Sequence, residues 1–182
     1  SDEYYLKEFK ELLDYRLKRI EQVSIPMDGE VPLDVYCSYS RNQILSAFNH
    51  KDPSNMQEGV YYSREYNTDI LLVTLKKTEK LYTPTSMYKY YAINPYKFHW
   101  ESQNKTTTES ESGKRYINSS SNVLLFVRES KVDMYNMTPP YTFLGPVKIE
   151  SHRGNKPMEI VWKMKYRIPA RFIEELTRGL AI

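Results

Sequence analysis

YTFLGPVKIESHRGNKPMEIVWKMKYRI, from Tyr141 to Ile168, decides the fold class. Two runs rich in β-branched and aromatic residues flank SHRGNKP, a cluster of turn-forming residues, and Gly154 within it is placed to join two long strands. Upstream, the same texture recurs in GVYYS, DILLVTLK, YYAIN, FHWES and NVLLFVRE, with polar turn residues between. Six or seven short strands of this kind predict an antiparallel sheet closing on itself. The expectation is therefore an α+β protein, mainly an antiparallel β-barrel over residues 58–182 with flanking helices.

Residues 1–57 read differently and form a helical lead-in expected to pack on the barrel. In YYLKEFKELLDYRLKRIEQ, residues 4–22, Leu6, Phe9, Leu13, Leu17 and Ile20 recur at spacings of three and four. That period marks an amphipathic helix with a charged outer face. Pro26, Gly29 and Pro32 interrupt the chain, after which Ser40 is placed to cap a short helix, RNQILSAF.

Composition narrows the function classes. With Cys37 as the single cysteine, neither a disulfide framework nor a cysteine-based zinc site can form. A reduced, cytoplasmic setting is the expectation, since no apolar run approaches membrane-spanning length and the first residues lack the features of a signal peptide. The three histidines, His50, His99 and His152, lie far apart without ligand spacing, and no metal or cofactor is expected. The net charge of +3 conceals a split: residues 1–60 hold 7 basic against 11 acidic residues, residues 61–182 hold 19 against 12. The second part is thus the one suited to an anionic partner.

FHWESQN, Phe98 to Asn104, carries the most mixed chemistry. On a strand Phe98, Trp100 and Ser102 share one face and His99, Glu101 and Gln103 the other. A flipped nucleobase needs a flat aromatic surface and hydrogen-bonding groups for its edge, which this run can supply. Equally, Phe98 and Trp100 fit the core of a barrel strand with the polar side in water. The following stretch, Asn104 to Asn122, is mostly Ser, Thr, Asn and Glu around Gly113-Lys114-Arg115, and is expected to be a mobile loop.

A competing string is Glu129-Ser130-Lys131 after the apolar run NVLLFV. An acidic residue, a spacer and a lysine at a strand end have the shape of a metal-dependent restriction-nuclease motif, which needs a second carboxylate to share magnesium. Asp69 is the best candidate for it.

The strings SYSRNQIL, EGVYY, NTDILLVTLKKTEKLYTPTSMYKYY, YAINPYKFHWESQN, SGKRYIN, NVLLFVRESK, PPYTFLGPV and KPMEIVWKMKYRIPA occur in order between Ser38 and Ala170. Together they closely resemble the uncharacterised C-terminal domain of bacterial helicase chains, including modification-dependent (type IV) restriction enzymes of the SauUSI kind. The resemblance implies an SRA-like or PUA-like barrel that binds double-stranded DNA containing 5-methylcytosine or 5-hydroxymethylcytosine by base flipping. It also implies upstream helicase and nuclease domains in the same chain as partners, with catalysis residing there; a homodimer of the full-length enzyme stays open.

Residue chemistry then nominates the site. Trp100, with Phe98 or Tyr91, would form the stacking wall. Asp69, Glu101, Ser102 and Gln103 would address the base edge, and Lys114, Arg115, Arg153 and Lys156 the phosphates. The alternatives are a nuclease using Glu129 and Lys131, or a module that docks on its helicase without binding DNA.

Overall fold

The strand Tyr141–Arg153 organises the sheet, because its two halves pair with different neighbours. The computed structural model describes residues 4–11, 24–27, 31–53, 59–76 and 90–173. In chain order its strands are β1 (Ile25–Pro26), β2 (Asp34–Val35), β3 (Ser38–Tyr39), β4 (Val60–Ser63), β5 (Thr68–Lys76), β6 (Tyr91–Asn94), β7 (Lys97–Glu101), β8 (Asn122–Ser130), β9 (Tyr141–Arg153) and β10 (Glu159–Met164). The helices are α1 (residues 4–11), α2 (Arg41–Ala47) and α3 (Glu111–Ile117), and a further helical turn covers residues 170–173.

β1 and β2 form a small ribbon, while the main sheet runs β4-β5-β8-β9-β10-β7-β6 with β3 added against β9. Its strands are antiparallel except β5 and β8, which run parallel from Thr68↔Asn122 to Lys76↔Ser130. The architecture is thus α+β with a mixed sheet. Among the described residues it does not close into a barrel: β4 and β6 stand at its two ends. Alternation and apolar content foretell strands but not their relative direction, so the parallel pair was invisible to them.

Parallel strands are normally covered on both faces, and DILLVTL and NVLLFV are apolar on both. On one face Ile70, Leu72, Leu124 and Phe126 pack with Val31, Leu33, Val35, Ile44 and Phe48 of the lead-in. On the other, Leu71, Val73, Leu125 and Val127 share a core with Phe98 and Trp100 of β7 and Ile160 and Trp162 of β10. The sheet therefore curls until its two halves meet. The bend passes through β9, where pairing to β8 shifts register beside Gly145. Gly145 has φ +92°, and a Cβ there would lie 2.7 Å from the Tyr166 ring, so both backbone and packing demand glycine.

Ser40 caps α2 as the sequence indicates, its hydroxyl accepting from the Gln43 N–H while the Gln43 side chain accepts from the Ser40 N–H. The expected N-terminal helix is described only over residues 4–11, where Tyr4, Tyr5, Leu6 and Phe9 are exposed; its remainder, with Leu13, Leu17 and Ile20, lies outside the described residues. Among the described residues no helix is long and apolar enough to cross a membrane.

Candidate functional site

The aromatic residues of FHWESQN are core residues. Phe98 and Trp100 are 0% and 3% exposed, and the Trp100 ring meets Tyr116 edge-on at 5.8 Å and Trp162 at 6.0 Å. Strand alternation sends them inward because β7 lies under the curled half of the sheet, so neither presents a free stacking wall. Ser102 is also buried: its hydroxyl accepts from the Met158 N–H at 2.9 Å and donates to the Gln103 carbonyl at 3.1 Å, tying the end of β7 to the start of β10. On the outer face Tyr91 stacks on His99 at 4.6 Å, as their β6–β7 register requires. Glu101 lies opposite Glu159 on β10, and Gln103 is half-buried just past the strand. The seven residues nominated for the base thus do not converge on one cavity.

The basic candidates are largely engaged elsewhere. Arg115 forms a two-pronged ion pair with the fully buried Asp69, which also accepts from Ser121 at 2.6 Å. Asp69 and Arg115, assigned from sequence to base edge and phosphate, instead satisfy each other. The hydrogen bond to Asp69 raises the Arg115 pKa further above its ordinary value. Arg153 donates through Nε to Glu159 at 2.7 Å, which holds the Glu159 carboxyl below its usual range. Lys114 pairs with Glu109 at 3.2 Å across an exposed surface. Lys156 is exposed, its N–H bound to the Thr106 carbonyl at 3.1 Å.

The nuclease constellation does not assemble. Asp69 is in register with Val123 near the start of β8, whereas Glu129 lies six residues further on, about 20 Å away at roughly 3.3 Å per residue. Lys131 is exposed beyond the strand end. Among the described residues no three His, Cys, Asp or Glu side chains are placed to hold a metal ion together.

A different site forms where β8 begins. Pairing of β8 with β9 begins at Val123↔Val147, yet β9 continues to Arg153 against β10 alone. The chain expected to be a mobile polar loop spans this gap and contains α3. Ser110 caps it, its hydroxyl accepting from the Gly113 N–H at 3.2 Å. Gly113 sits so close to the preceding loop that a Cβ would fall 1.9 Å from the Thr107 carbonyl oxygen. This close approach presses Tyr116 into the core at 2% exposure, edge-on to Trp162 at 5.7 Å.

Between these elements lies a cavity of about 750 Å³, within the range of small-molecule sites. Tyr116 and Trp162 contribute its aromatic lining, Ser119 and Ser121 its hydroxyls, and Lys148, Lys163 and Lys165 its charge. Burial pushes the Tyr116 pKa up, so its hydroxyl stays protonated and able to donate at neutral pH. The Trp162 indole N–H is buried out of reach of solvent and has no hydrogen-bond partner among the described residues. Such an orphan donor costs about 1–3 kcal/mol, which a ligand acceptor would recover once the indole turned toward the cavity. The lining chemistry suits a flat, acceptor-bearing group attached to an anion. Sequence reading missed Tyr116 because it sits in a polar run, and Trp162 because it looks like any inward strand residue; Ser110 before ESGKRYI was the available cue for the helix.

No curated protein matches the chain. Residues 33–176 match a family described as a domain of unknown function, DUF3427, and the chain, over most of its length, belongs to that family.

Proposed function

We propose that this domain reads a modified cytosine, 5-methylcytosine or 5-hydroxymethylcytosine, extruded from double-stranded DNA into the cavity between α3 and β9–β10. The observation that carries the reading is the cavity lined by Tyr116, Trp162 and three lysines, with the Trp162 indole N–H beside it buried and unpaired among the described residues. Cytosine brings acceptors at ring position 3 and carbonyl position 2, and the almost fully buried Tyr116 and Trp162 would meet it only by the edges that line the cavity. A base entering the cavity would draw the indole N–H, unpaired among the described residues, toward its acceptors. The resemblance to the last domain of modification-dependent restriction enzymes supports the same assignment. In that setting the domain recognises, and helicase and nuclease domains elsewhere in the chain translocate and cut. An SRA-like or PUA-like ancestry belongs to this proposal, with the curled sheet as its structural support.

The selectivity expected is modest. One buried methyl contributes about 0.8 kcal/mol, and a fitted pocket discriminates one extra carbon by about 1–3 kcal/mol. The test is equilibrium binding of otherwise identical duplexes with and without the modification at fixed salt. A tighter complex with the modified duplex is expected; equal affinities would end the modified-base reading.

A docking module is the second reading, favoured by Met134, Tyr135 and Met137, which are 88%, 76% and 66% exposed between β8 and β9. It predicts no DNA binding even at low salt.

A further inference from the structure

We infer, resting on the DNA-reading proposal, that the backbone of the bound strand is held by a row of lysines across β7, β10 and β9, and not by Arg115 or Arg153. Lys163 of β10 is in direct register with Lys97 of β7 on one side and Lys148 of β9 on the other. Residues directly opposite in antiparallel strands project from the same face, so three ammonium groups stand side by side over about 10 Å, two strand spacings. Like charges in that position destabilise a sheet. A protein surface keeps such a row at a cost, and an anion laid along it removes the repulsion.

Lys97 is partly compensated by Glu150 at 3.0 Å. Lys148 and Lys163 are exposed and make no ion pair among the described residues. Both also line the cavity, together with Lys165. The row projects from the outer face, opposite to Trp162, and its members Lys148 and Lys163 border the cavity, so the phosphates flanking an extruded nucleotide would lie along that outer side. Phosphates along one strand present successive negative charges, which fits a row better than a single point site.

The experiment is the salt dependence of duplex binding by Lys148→Gln, Lys163→Gln, the double variant and Arg153→Gln. Each neutralised phosphate contributes about 0.9 to the slope of log affinity against log salt. Each lysine change should lower the slope by about 1, the pair by about 2, and Arg153→Gln should leave it unchanged. The lysine variants should melt at or above the native temperature, which separates lost contact from lost fold. Native slopes in both single variants, or a lower slope in Arg153→Gln alone, would overturn the row. If the slopes fall as expected while native protein binds modified and unmodified duplexes equally, the row stands and the base reading fails. If modified DNA is preferred but the slopes never change, the base reading stands and the row fails.

Discussion

Arg115 grips Asp69 through two parallel hydrogen bonds, Nε to Oδ2 at 3.0 Å and Nη2 to Oδ1 at 2.9 Å. The guanidinium also lies 3.7 Å above the Tyr62 ring, so α3 is fastened to β4 and β5 at once. Removing Arg115 strands the Asp69 carboxylate, which has no access to water. Arg115→Ala should cost about 3–5 kcal/mol of stability, read from urea denaturation. A variant of native stability with weakened DNA binding would return Arg115 to the phosphates.

Gly113 carries a steric argument of the same kind. An added methyl meets a backbone carbonyl oxygen at 1.9 Å and the Met158 sulfur at 3.1 Å, and backbone cannot rotate away. Gly113→Ala should lift α3 from the sheet and cost about 1–3 kcal/mol despite alanine's higher helix propensity. A melting temperature equal to the native one would contradict this packing.

Trp162→Phe removes the orphan donor and keeps an aromatic ring in the wall. Relief of an unsatisfied N–H opposes the lost volume, so stability should change by less than about 1.5 kcal/mol. Binding of modified duplex should weaken by about tenfold, the worth of one good hydrogen bond. Unchanged affinity would mean that the indole N–H meets no base.

The Arg153–Glu159 pair gives a pH signature. Arg153's hydrogen bond is the largest cause of the lowered Glu159 pKa, outweighing burial, and His99 adds to it. With a folded value below the ordinary 4.5, the carboxylate contributes stability that is present above that pH and lost as pH falls through the folded value. The melting-temperature gap between native protein and Glu159→Gln should be full near neutrality and close in acid. A gap that persists undiminished to pH 3 would show that Glu159 acts through packing alone.

Much of the fold was legible from residue order. The apolar runs at β5 and β8, the alternation of β7 and the SHRGNKP turn between β9 and β10 all locate strands, and Ser40 marks its helix. What was hidden depends on contacts between distant segments. No periodicity in DILLVTLK says that it will lie parallel to NVLLFVRE. A run as polar as Asn104 to Asn122 reads as loop until Gly113 and Tyr116 are seen to anchor it. The site suffered most, because a charged residue's role depends on its partner: Asp69 and Arg115 looked available only while 46 residues of sequence kept them apart. The lysine row needs strand register, which composition does not contain.

The chain has two tryptophans, so a nitrogen-15 proton spectrum shows two indole N–H signals, assignable with Trp162→Phe. Titration with a methylated and an unmodified duplex of the same sequence tests the central claim at the proposed atom. The account predicts a downfield shift of the Trp162 signal as its N–H gains an acceptor, reached at lower concentration with the methylated duplex than with the unmodified one, and a nearly stationary Trp100. A complex that forms while the Trp162 signal stays in place would contradict it.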